Sequence, residues 1–376
     1  MAGIYIHIPF CRKACRYCDF HFTVSLSQKK VMINAIAKEI LLRSEYTGKD
    51  QIKTVYFGGG TPSVLEQDEL QLLMDAIRRL NLSEDAEVSF EANPDDLKEE
   101  YLQMLANSGI NRLSIGIQSF FGDDLVLMRR SHNVKQAYES IERACMMGFG
   151  NINIDLIYGI PGMDLKRWEK NIRIATEFNI PHLSAYHLTY EPGTVFDHWR
   201  KKGRLIPVYE EDSIEQFHLL RKIAGDFSYQ HYEISNFARE GYISQHNVNY
   251  WKQVPYIGVG PSAHSYNGYS RRWNIASNKK YIENLMNDKV YYEEETLNED
   301  NLYNEYIMTS LRTIWGINKD FILEKFGQKR SGYFQEKVRQ YIENKTIEKK
   351  LNDYSLTEKG MILADDIISA LFIAGR

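Results

Sequence analysis

Three cysteines stand within eight residues near the start of the chain: Cys11, Cys15 and Cys18. Thiolates are the natural ligands of soft metals and of iron–sulfur clusters, so these side chains can converge on one inorganic centre. A structural zinc takes four ligands and would have to recruit His7, His21 or a distant group. A cluster of four irons held by three cysteines instead leaves one iron free for a ligand that is not protein. The cysteines alone leave zinc and cluster equally open.

The elements that must position these cysteines are short β-rich runs, which alternate with amphipathic segments of helical spacing through the first two thirds of the chain. The β-rich runs start at Gly3, Lys53, Ala86, Arg112, Asn151 and His182. Alternating strand and helix implies right-handed crossovers and a parallel sheet. Six such units predict an α/β fold built on an incomplete (β/α)6 barrel. Ligands of such sheets gather at the carboxyl ends of the strands, and the cysteines follow the first strand.

Polar or flexible residues also follow the later strands at their carboxyl ends. Three glycines and a threonine come after the second strand, where glycine lets the backbone approach a ligand closely. Carboxylates close the third and fifth strands, an amide closes the fourth, and an arginine follows it. Any one of these is more often a structural polar group, but their recurrence predicts one shared polar pocket. The candidate residues are Gly59, Gly60, Thr61, Glu91, Gln118, Arg130 and Asp155.

The spacing C-x3-C-x2-C, with Tyr17 directly before Cys18, resembles the signature of the radical S-adenosylmethionine (SAM) superfamily. In that superfamily three thiolates bind a [4Fe-4S] cluster, and the amino and carboxylate groups of SAM chelate the open iron. The GGGTP turn after the second strand resembles the superfamily's glycine motif, which bonds the SAM amino group. The resemblance therefore implies a [4Fe-4S] cluster on the three cysteines with SAM beside it, and it favours the cluster over zinc.

By position, the resemblance extends to the anaerobic coproporphyrinogen oxidase (HemN-like) branch. It implies that Tyr5 lies near cofactor and substrate, that Tyr17 packs near the adenine, and that the glycine turn contacts the methionine part of SAM. The residue types agree, because Arg130 can bind a carboxylate in bidentate fashion and carboxylates can accept hydrogen bonds from ribose hydroxyls. By the same resemblance, the positions that contact SAM or a second SAM molecule are Glu91, Gln118, Arg130 and Asp155.

The sequence departs from the oxidase pattern at Phe20, where that pattern carries another cysteine. The oxidase's segment before the first strand is also expected to be missing. A second motif, HNxxYW from His246 to Trp251, resembles the HemW branch of the same family, whose members act as heme chaperones. This resemblance implies a chain that binds heme and delivers it to acceptor proteins such as respiratory cytochromes. The alternatives are a coproporphyrinogen oxidase that uses a 5'-deoxyadenosyl radical, and a zinc protein without redox chemistry.

Within the HNxxYW motif, His246 is the candidate heme contact. A neutral imidazole can ligate iron, and Tyr250 and Trp251 offer flat apolar surface beside a porphyrin. The structural alternative is that His246 bonds neighbouring groups while the two aromatic residues fill core. His264, in the glycine-rich stretch that follows, is a secondary candidate for heme or cofactor contact. The remaining cysteine, Cys145, is expected to be a buried apolar filler.

Composition bounds the remaining expectations. The chain has 376 residues, of which 43% are hydrophobic, so it can bury a large core and divide into domains. A net charge of -4 predicts no nucleic-acid partner. Neither a signal peptide nor a membrane span is recognisable, which predicts a cytoplasmic protein and leaves peripheral membrane contact open. The predicted divisions are a barrel core over 1–235, a connecting segment over 236–292, and a smaller, mostly helical, winged-helix-like C-terminal domain over 293–376.

Overall fold

Six parallel strands lie side by side, in chain order, at the centre of the computed structural model, which describes residues 1–46, 48 and 50–374. The strands are β1 (Ala2–Ile8), β2 (Ile52–Gly59), β3 (Leu82–Ala92), β4 (Arg112–Gln118), β5 (Ile152–Tyr158) and β6 (His182–His187). The intervening helices are α1 (Lys29–Leu42), α2 (Gln67–Arg78), α3 (Glu99–Ser108), α4 (Gly122–Met128), α5 (Val134–Met146) and α6 (Leu165–Glu177). The predicted α/β fold with six barrel units is confirmed.

Alternation along the strands separates an apolar face of the sheet from a polar one. In β4, Leu113, Ile115 and Ile117 are fully buried members of the hydrophobic core. Successive side chains of a strand point to opposite faces, so Arg112 and Ser114 face the other way, where they line a cavity. The barrel therefore has an apolar exterior beneath its helices and a polar interior.

The sheet continues beyond both edges of the six parallel strands. β7 (Gln230–Glu233) and β8 (Asn236–Ala238) add antiparallel strands next to β6. On the other side β9 (Tyr256–Val259) pairs parallel with β1, and an antiparallel series follows it. That series is β10 (His264–Tyr266), β11 (Ser270–Asn274) and β12 (Tyr292–Thr296). The helices of this region are α7 (Val195–Lys201), α8 (Glu210–Asp226), α9 (Gln245–Trp251) and α10 (Asn278–Met286).

The C-terminal part has a hydrophobic core of its own and a small antiparallel sheet. Its helices are α11 (Glu299–Leu311), α12 (Lys319–Glu343), α13 (Glu358–Ile362) and α14 (Ala364–Ala370), and its strands are β13 (Ile317–Asn318), β14 (Ile347–Lys350) and β15 (Asp353–Leu356). Helices with a three-stranded wing confirm the winged-helix-like prediction. The Glu358 carboxyl group forms a hydrogen bond with His218 at 2.6 Å and an ion pair with Arg221 at 2.9 Å, which joins this part to α8 of the barrel.

The structure also bears on the expected domain divisions, on Cys145 and on membrane-spanning helices. The sheet runs through both predicted divisions, at 235/236 and 292/293, and these divisions stay predictions; residues 375 and 376 of the last segment lie outside the described residues. The expectation for Cys145 is wrong, because its side chain is exposed at the end of α5. A membrane-crossing helix, long and apolar enough to span a bilayer, does not occur among the described helices.

A buried charge network ties α1 to the strands that extend the sheet. Glu39 is 0% exposed and accepts hydrogen bonds from the Gly260 N–H at 2.8 Å, the Asn274 amide at 2.8 Å and the Tyr281 hydroxyl at 2.5 Å. Arg43, one turn along α1, lies 3.5 Å from the same carboxyl group and donates to the Gly258 carbonyl at 2.8 Å. Burial raises the pKa of Glu39, and these partners oppose that rise.

We expect Glu39→Ala to lower the free energy of unfolding by about 3–5 kcal/mol, because it leaves the Arg43 guanidinium buried without its carboxylate. Glu39→Gln, which keeps shape and part of the hydrogen bonding, should cost less. Denaturant unfolding of both variants measures the difference. Glu45→Ala, at an exposed position just past α1, is the control and should stay within about 0.5 kcal/mol of the parent chain. Equal losses in all three variants would contradict the role of the network.

Candidate functional site

A cavity of about 390 Å³ opens at the carboxyl ends of the parallel strands and reaches into the barrel. It is lined by eleven of the thirteen residues that the sequence predicts for the site. These are Cys11, Cys15, Tyr17, Cys18, Gly59, Gly60, Thr61, Glu91, Gln118, Arg130 and Asp155. The structure thus brings the three cysteines, the glycine turn and the polar side chains of β3, β4 and β5 to one place. Asp155 was expected to close the fifth strand, but β5 continues to Tyr158 and Asp155 lies in its middle. Tyr5 and His246 are not among the lining residues.

The cysteine loop is fastened to the barrel at several points. The Cys11 N–H donates to the Thr23 carbonyl at 3.0 Å, and the Thr23 N–H donates to the Pro9 carbonyl at 2.9 Å, which closes the base of the loop. Arg16, inside the loop, donates to the Leu127 carbonyl at the end of α4 at 2.9 Å. Its guanidinium also lies 4.6 Å from the ring centre of Trp199 in α7. The cysteines are therefore presented by a loop that α4 and α7 hold in place.

Two side chains of the cavity donate hydrogen bonds to cysteine sulfur. The Thr61 hydroxyl donates to Cys11 Sγ at 3.2 Å, and Arg130 Nη1 donates to Cys15 Sγ at 3.3 Å. Burial raises the pKa of Cys11 to about 11 and that of Cys18 to about 12. Metal binding requires thiolates, and hydrogen bonds to sulfur favour the thiolate form. A donor set of three thiols with two such hydrogen bonds fits an iron–sulfur cluster.

The glycine turn after β2 packs so closely on the cysteine loop that side chains would not fit there. Gly59 has φ 103°, and a Cβ on it would lie 2.6 Å from the ring of His7. A Cβ on Gly60 would lie 2.7 Å from the Phe10 carbonyl oxygen. The Gly60 N–H donates to the Ile8 carbonyl at 2.9 Å. Glycine is needed here so that the turn can form one wall of the cavity beside Cys11.

Arg130 connects the cysteine loop with two strands. Besides Cys15, its Nη1 donates to the Tyr17 hydroxyl at 3.4 Å. Its Nη2 donates to the Asn93 side chain at 2.7 Å and to the Gly116 carbonyl at 2.9 Å. Its Nε atom is buried and has no partner among the described residues. A ligand carboxylate that binds Arg130 in bidentate fashion would compete with some of these contacts.

Two carboxyl groups on the parallel strands face the cavity. Glu91 accepts a hydrogen bond from the Tyr56 hydroxyl at 2.8 Å, and burial raises the pKa of Glu91 to about 7, although Tyr56 opposes the rise. Asp155 accepts hydrogen bonds from Ser114 at 3.1 Å and from Asn153 at 2.7 Å, and burial raises its pKa as well. The cavity thus holds two carboxyl groups whose proton affinity is increased by burial.

Gln118 reaches the cavity by an unusual backbone conformation. Its φ is 64°, in the left-handed region, and it closes β4. A Cβ on Gly116 would lie 2.9 Å from the Gln118 amide nitrogen and 3.1 Å from Arg130 Nη2. Gly116 therefore makes room for both polar side chains at the end of this strand.

The two residues outside the cavity belong to a buried network behind its wall. The Tyr5 hydroxyl is 3.1 Å from His7 Nδ1, and its ring stacks on Tyr56. His246 Nδ1 is 2.8 Å from the Thr54 hydroxyl, and His246 Nε2 is 2.8 Å from the Tyr250 hydroxyl. Burial lowers the pKa of His246 to about 3, so its ring is neutral. Both ring nitrogens already have hydrogen-bond partners. This is what we expect if His246 bonds neighbouring groups instead of ligating iron.

Several cavity residues were not predicted from the sequence. Tyr56 supports Glu91, Asn93 supports Arg130, and Arg112, Asn153 and Asn247 line the deeper part. Those on strands could have been found from polar residues at every second position of apolar runs, since such positions share one face. Asn247 belongs to the HNxxYW motif, within which His246 was predicted instead, and no comparable signal marks Asn93, which lies outside the strands.

A single metal ion would need a tighter arrangement than a cluster, because each Zn–S bond is only about 2.3 Å long. Within residues 1–46, 48 and 50–374, no three His, Cys, Asp or Glu side chains are placed so that they could hold one ion.

The chain is similar in sequence and in fold to several known proteins. Residues 5–175 match the radical SAM superfamily, and residues 297–363 match the HemN C-terminal domain. A Bacillus subtilis protein named heme chaperone HemW is 36% identical over 98% of this chain and 99% of its own. The protein of that name in Lactococcus lactis is 32% identical over 98% of this chain and 97% of its own. The solved structure of coproporphyrinogen III oxidase (HemN) from Escherichia coli superposes with a TM-score of 0.86 at 22% identity, over 99% of this chain and 90% of that one.

We expect the cofactor-free chain to lose stability relative to Glu91→Gln as the pH rises from 5 to 8. The pKa of Glu91 is about 7 in the folded state, above its ordinary value of 4.5. The folded state therefore binds the proton more tightly, and this contribution is complete below pH 4.5 and is lost as the pH rises through about 7.

Denaturant unfolding at pH 5, 6, 7 and 8 measures this difference. Glu84→Gln, at an exposed position of the same strand, is the matched control and should follow the parent chain at every pH. If the stability of Glu91→Gln ran parallel to that of the parent chain across this range, the buried carboxyl would not have the raised pKa.

Proposed function

We propose that this chain, which belongs to the HemW family of radical SAM proteins, binds heme and transfers it to acceptor proteins. The observation that carries the proposal is the similarity, over nearly the whole length, to relatives named heme chaperones. We further propose respiratory cytochromes as the kind of acceptor, the cytoplasm as the location, and no nucleic-acid partner.

In this proposal Cys11, Cys15 and Cys18 hold a [4Fe-4S] cluster, with SAM beside it. When bound, the cluster supplies an iron that carries no protein ligand and can be chelated by the amino and carboxylate groups of SAM. Thr61 and Arg130 support the thiolates through their hydrogen bonds to Cys11 and Cys15. The residues proposed to contact SAM are Tyr17, Gly59, Gly60, Thr61, Glu91, Gln118, Arg130 and Asp155, with Tyr5 behind them.

In this proposal the carboxyl groups of Glu91 and Asp155 bind the ribose of SAM. Once deprotonated, Glu91 and Asp155 can accept hydrogen bonds from ribose hydroxyls. Tyr56 keeps Glu91 oriented by donating to it, while Ser114 and Asn153 orient Asp155. Burial raises the pKa of both groups, and ligand hydroxyls that donate to them favour the charged form.

The cavity also carries apolar surface that suits a porphyrin. Phe20 lines it with 66% of its surface exposed, and Tyr186 lines it with 43% exposed. Flat aromatic rings that are open to solvent can pack on a porphyrin face. Phe20 occupies the position where the oxidase pattern carries a further cysteine, and this difference favours heme binding over oxidation of coproporphyrinogen.

Iron ligation by His246 would require its side chain to rearrange. The imidazole would have to leave the hydroxyls of Thr54 and Tyr250 and turn out of a buried position. Each hydrogen bond lost in that movement costs about 1 kcal/mol. A contact between the HNxxYW motif and heme therefore requires either that His246 rearranges or that another residue of the motif makes the contact.

We expect the anaerobically reconstituted chain to bind heme near one equivalent, with a Soret band that saturates, and to leave coproporphyrinogen unconverted when reduced and given SAM. Absorption titration and product analysis on one sample measure both. His246→Ala should weaken heme binding, and Tyr250→Phe, which keeps the imidazole but removes one of its partners, is the comparison variant. The absence of heme binding would overturn the proposal, and conversion of coproporphyrinogen would establish the oxidase instead.

A further inference from the structure

A buried cation without a partner lies in the deeper part of the cavity. Arg112, the first residue of β4, is 1% exposed and lines the same cavity as the cysteines. Its Nε and Nη2 atoms have no hydrogen-bond partner among the residues that the structure describes. We propose that Arg112 binds a carboxylate of the ligand, and that this carboxylate is a propionate of the porphyrin. The identity of the ligand rests on the proposed function.

Comparison with Arg43 and Arg130, which both have protein partners, supports a ligand partner for Arg112. Arg43, whose Nε and Nη2 also have no hydrogen-bond partner among the described residues, lies against the Glu39 carboxyl group and donates to the Gly258 carbonyl. Arg130 donates to three backbone or side-chain oxygens and to a cysteine sulfur. Within the described part of the chain, the Arg112 side chain makes no such hydrogen bond and no ion pair. A buried charge without a partner is strongly unfavourable, so an anion supplied by a ligand would stabilise it.

The polar groups near Arg112 form hydrogen bonds with one another and not with its guanidinium. Asn153 donates to the Ser114 hydroxyl at 2.7 Å, and Ser184 donates to the Asn236 side chain at 2.6 Å. The Asp155 carboxyl group, the acidic member of this group, accepts from Ser114 and Asn153. The positive charge of Arg112 is one of the influences that lower the pKa of Asp155.

A residue of the HNxxYW motif completes the proposed subsite. Asn247 lines the cavity, whereas its neighbour His246 is turned away and held by Thr54 and Tyr250. The backbone N–H groups of Gln245 and His246 donate to the Glu87 carboxyl group of β3 at 3.1 Å each, which fixes the start of α9. The motif thus presents an amide to the cavity. A carboxylate can accept hydrogen bonds from this amide and from the guanidinium of Arg112 together.

Position along the strand favours a propionate over the carboxylate of SAM. Gly116, whose carbonyl binds Arg130 near the cysteines, lies four residues beyond Arg112. At about 3.3 Å per residue, the Cα atoms of Arg112 and Gly116 are roughly 13 Å apart along the strand. If the carboxylate of SAM is held at the cysteine end, Arg112 remains available to bind a second ligand. Heme carries two propionates, and a guanidinium matches a carboxylate through two parallel hydrogen bonds.

The test compares heme with heme dimethyl ester, which has the same ring and iron but no carboxylate. In the same detergent, the parent chain should bind heme at least about 10-fold more tightly than the ester, because a charge-assisted hydrogen bond pair is lost with the ester. Arg112→Gln should weaken heme binding about 10- to 100-fold and leave ester binding unchanged. Arg79→Gln, at an exposed position, is the charge-matched control and should preserve the preference for heme.

Each outcome decides between the alternatives. Equal affinity of the parent chain for heme and ester would overturn this inference alone, and that comparison needs no variant to fold. Equal weakening of heme and ester in Arg112→Gln would also overturn it, because it would show a structural role. If that variant lost SAM binding but bound heme as before, Arg112 would bind the carboxylate of SAM, and the assignment to a heme propionate would be overturned. Binding of neither porphyrin by the parent chain would overturn the proposed function as well.

Discussion

The site depends on the way in which Arg130 joins three separate segments of the chain. Its guanidinium donates to Cys15 in the cysteine loop, to Asn93 after β3 and to the Gly116 carbonyl in β4. A loop that carries metal ligands is otherwise free to move, and a planar fork of donors fixes it against the sheet. Gly116 in β4 makes room for this guanidinium, because a Cβ there would lie 3.1 Å from Arg130 Nη2.

The other end of the barrel is organised around the HNxxYW motif. His246 lies between Thr54 and Tyr250 and stacks on Tyr56, whose hydroxyl donates to Glu91. The motif is thereby linked through one aromatic ring to a carboxyl group of the cavity. A change at His246 is therefore expected to reach Glu91 through Tyr56.

The sequence was sufficient for the parts of the fold and site that depend on local pattern. Alternating strands and helices predicted the barrel, and because parallel strands share one carboxyl edge, the cysteines, glycines and Glu91 could be placed together. Contacts between distant segments were not predictable. The position of His246 depends on the packing of α9 against β2, where it contacts Thr54, a residue 192 positions away in sequence. Arg112 gave no signal beyond its alternation in β4, and Cys145 was misjudged because a helix end can expose a cysteine as readily as bury it.

The central claim is that the cluster cysteines and the porphyrin share one cavity. Electron paramagnetic resonance of the reduced, reconstituted chain with SAM, recorded before and after addition of heme, tests it most directly. The account predicts that heme changes the cluster spectrum, since a ligand against Phe20 and Tyr186 lies in the cavity that the three cysteines line. Full occupancy by heme with an unchanged cluster spectrum would contradict the shared cavity.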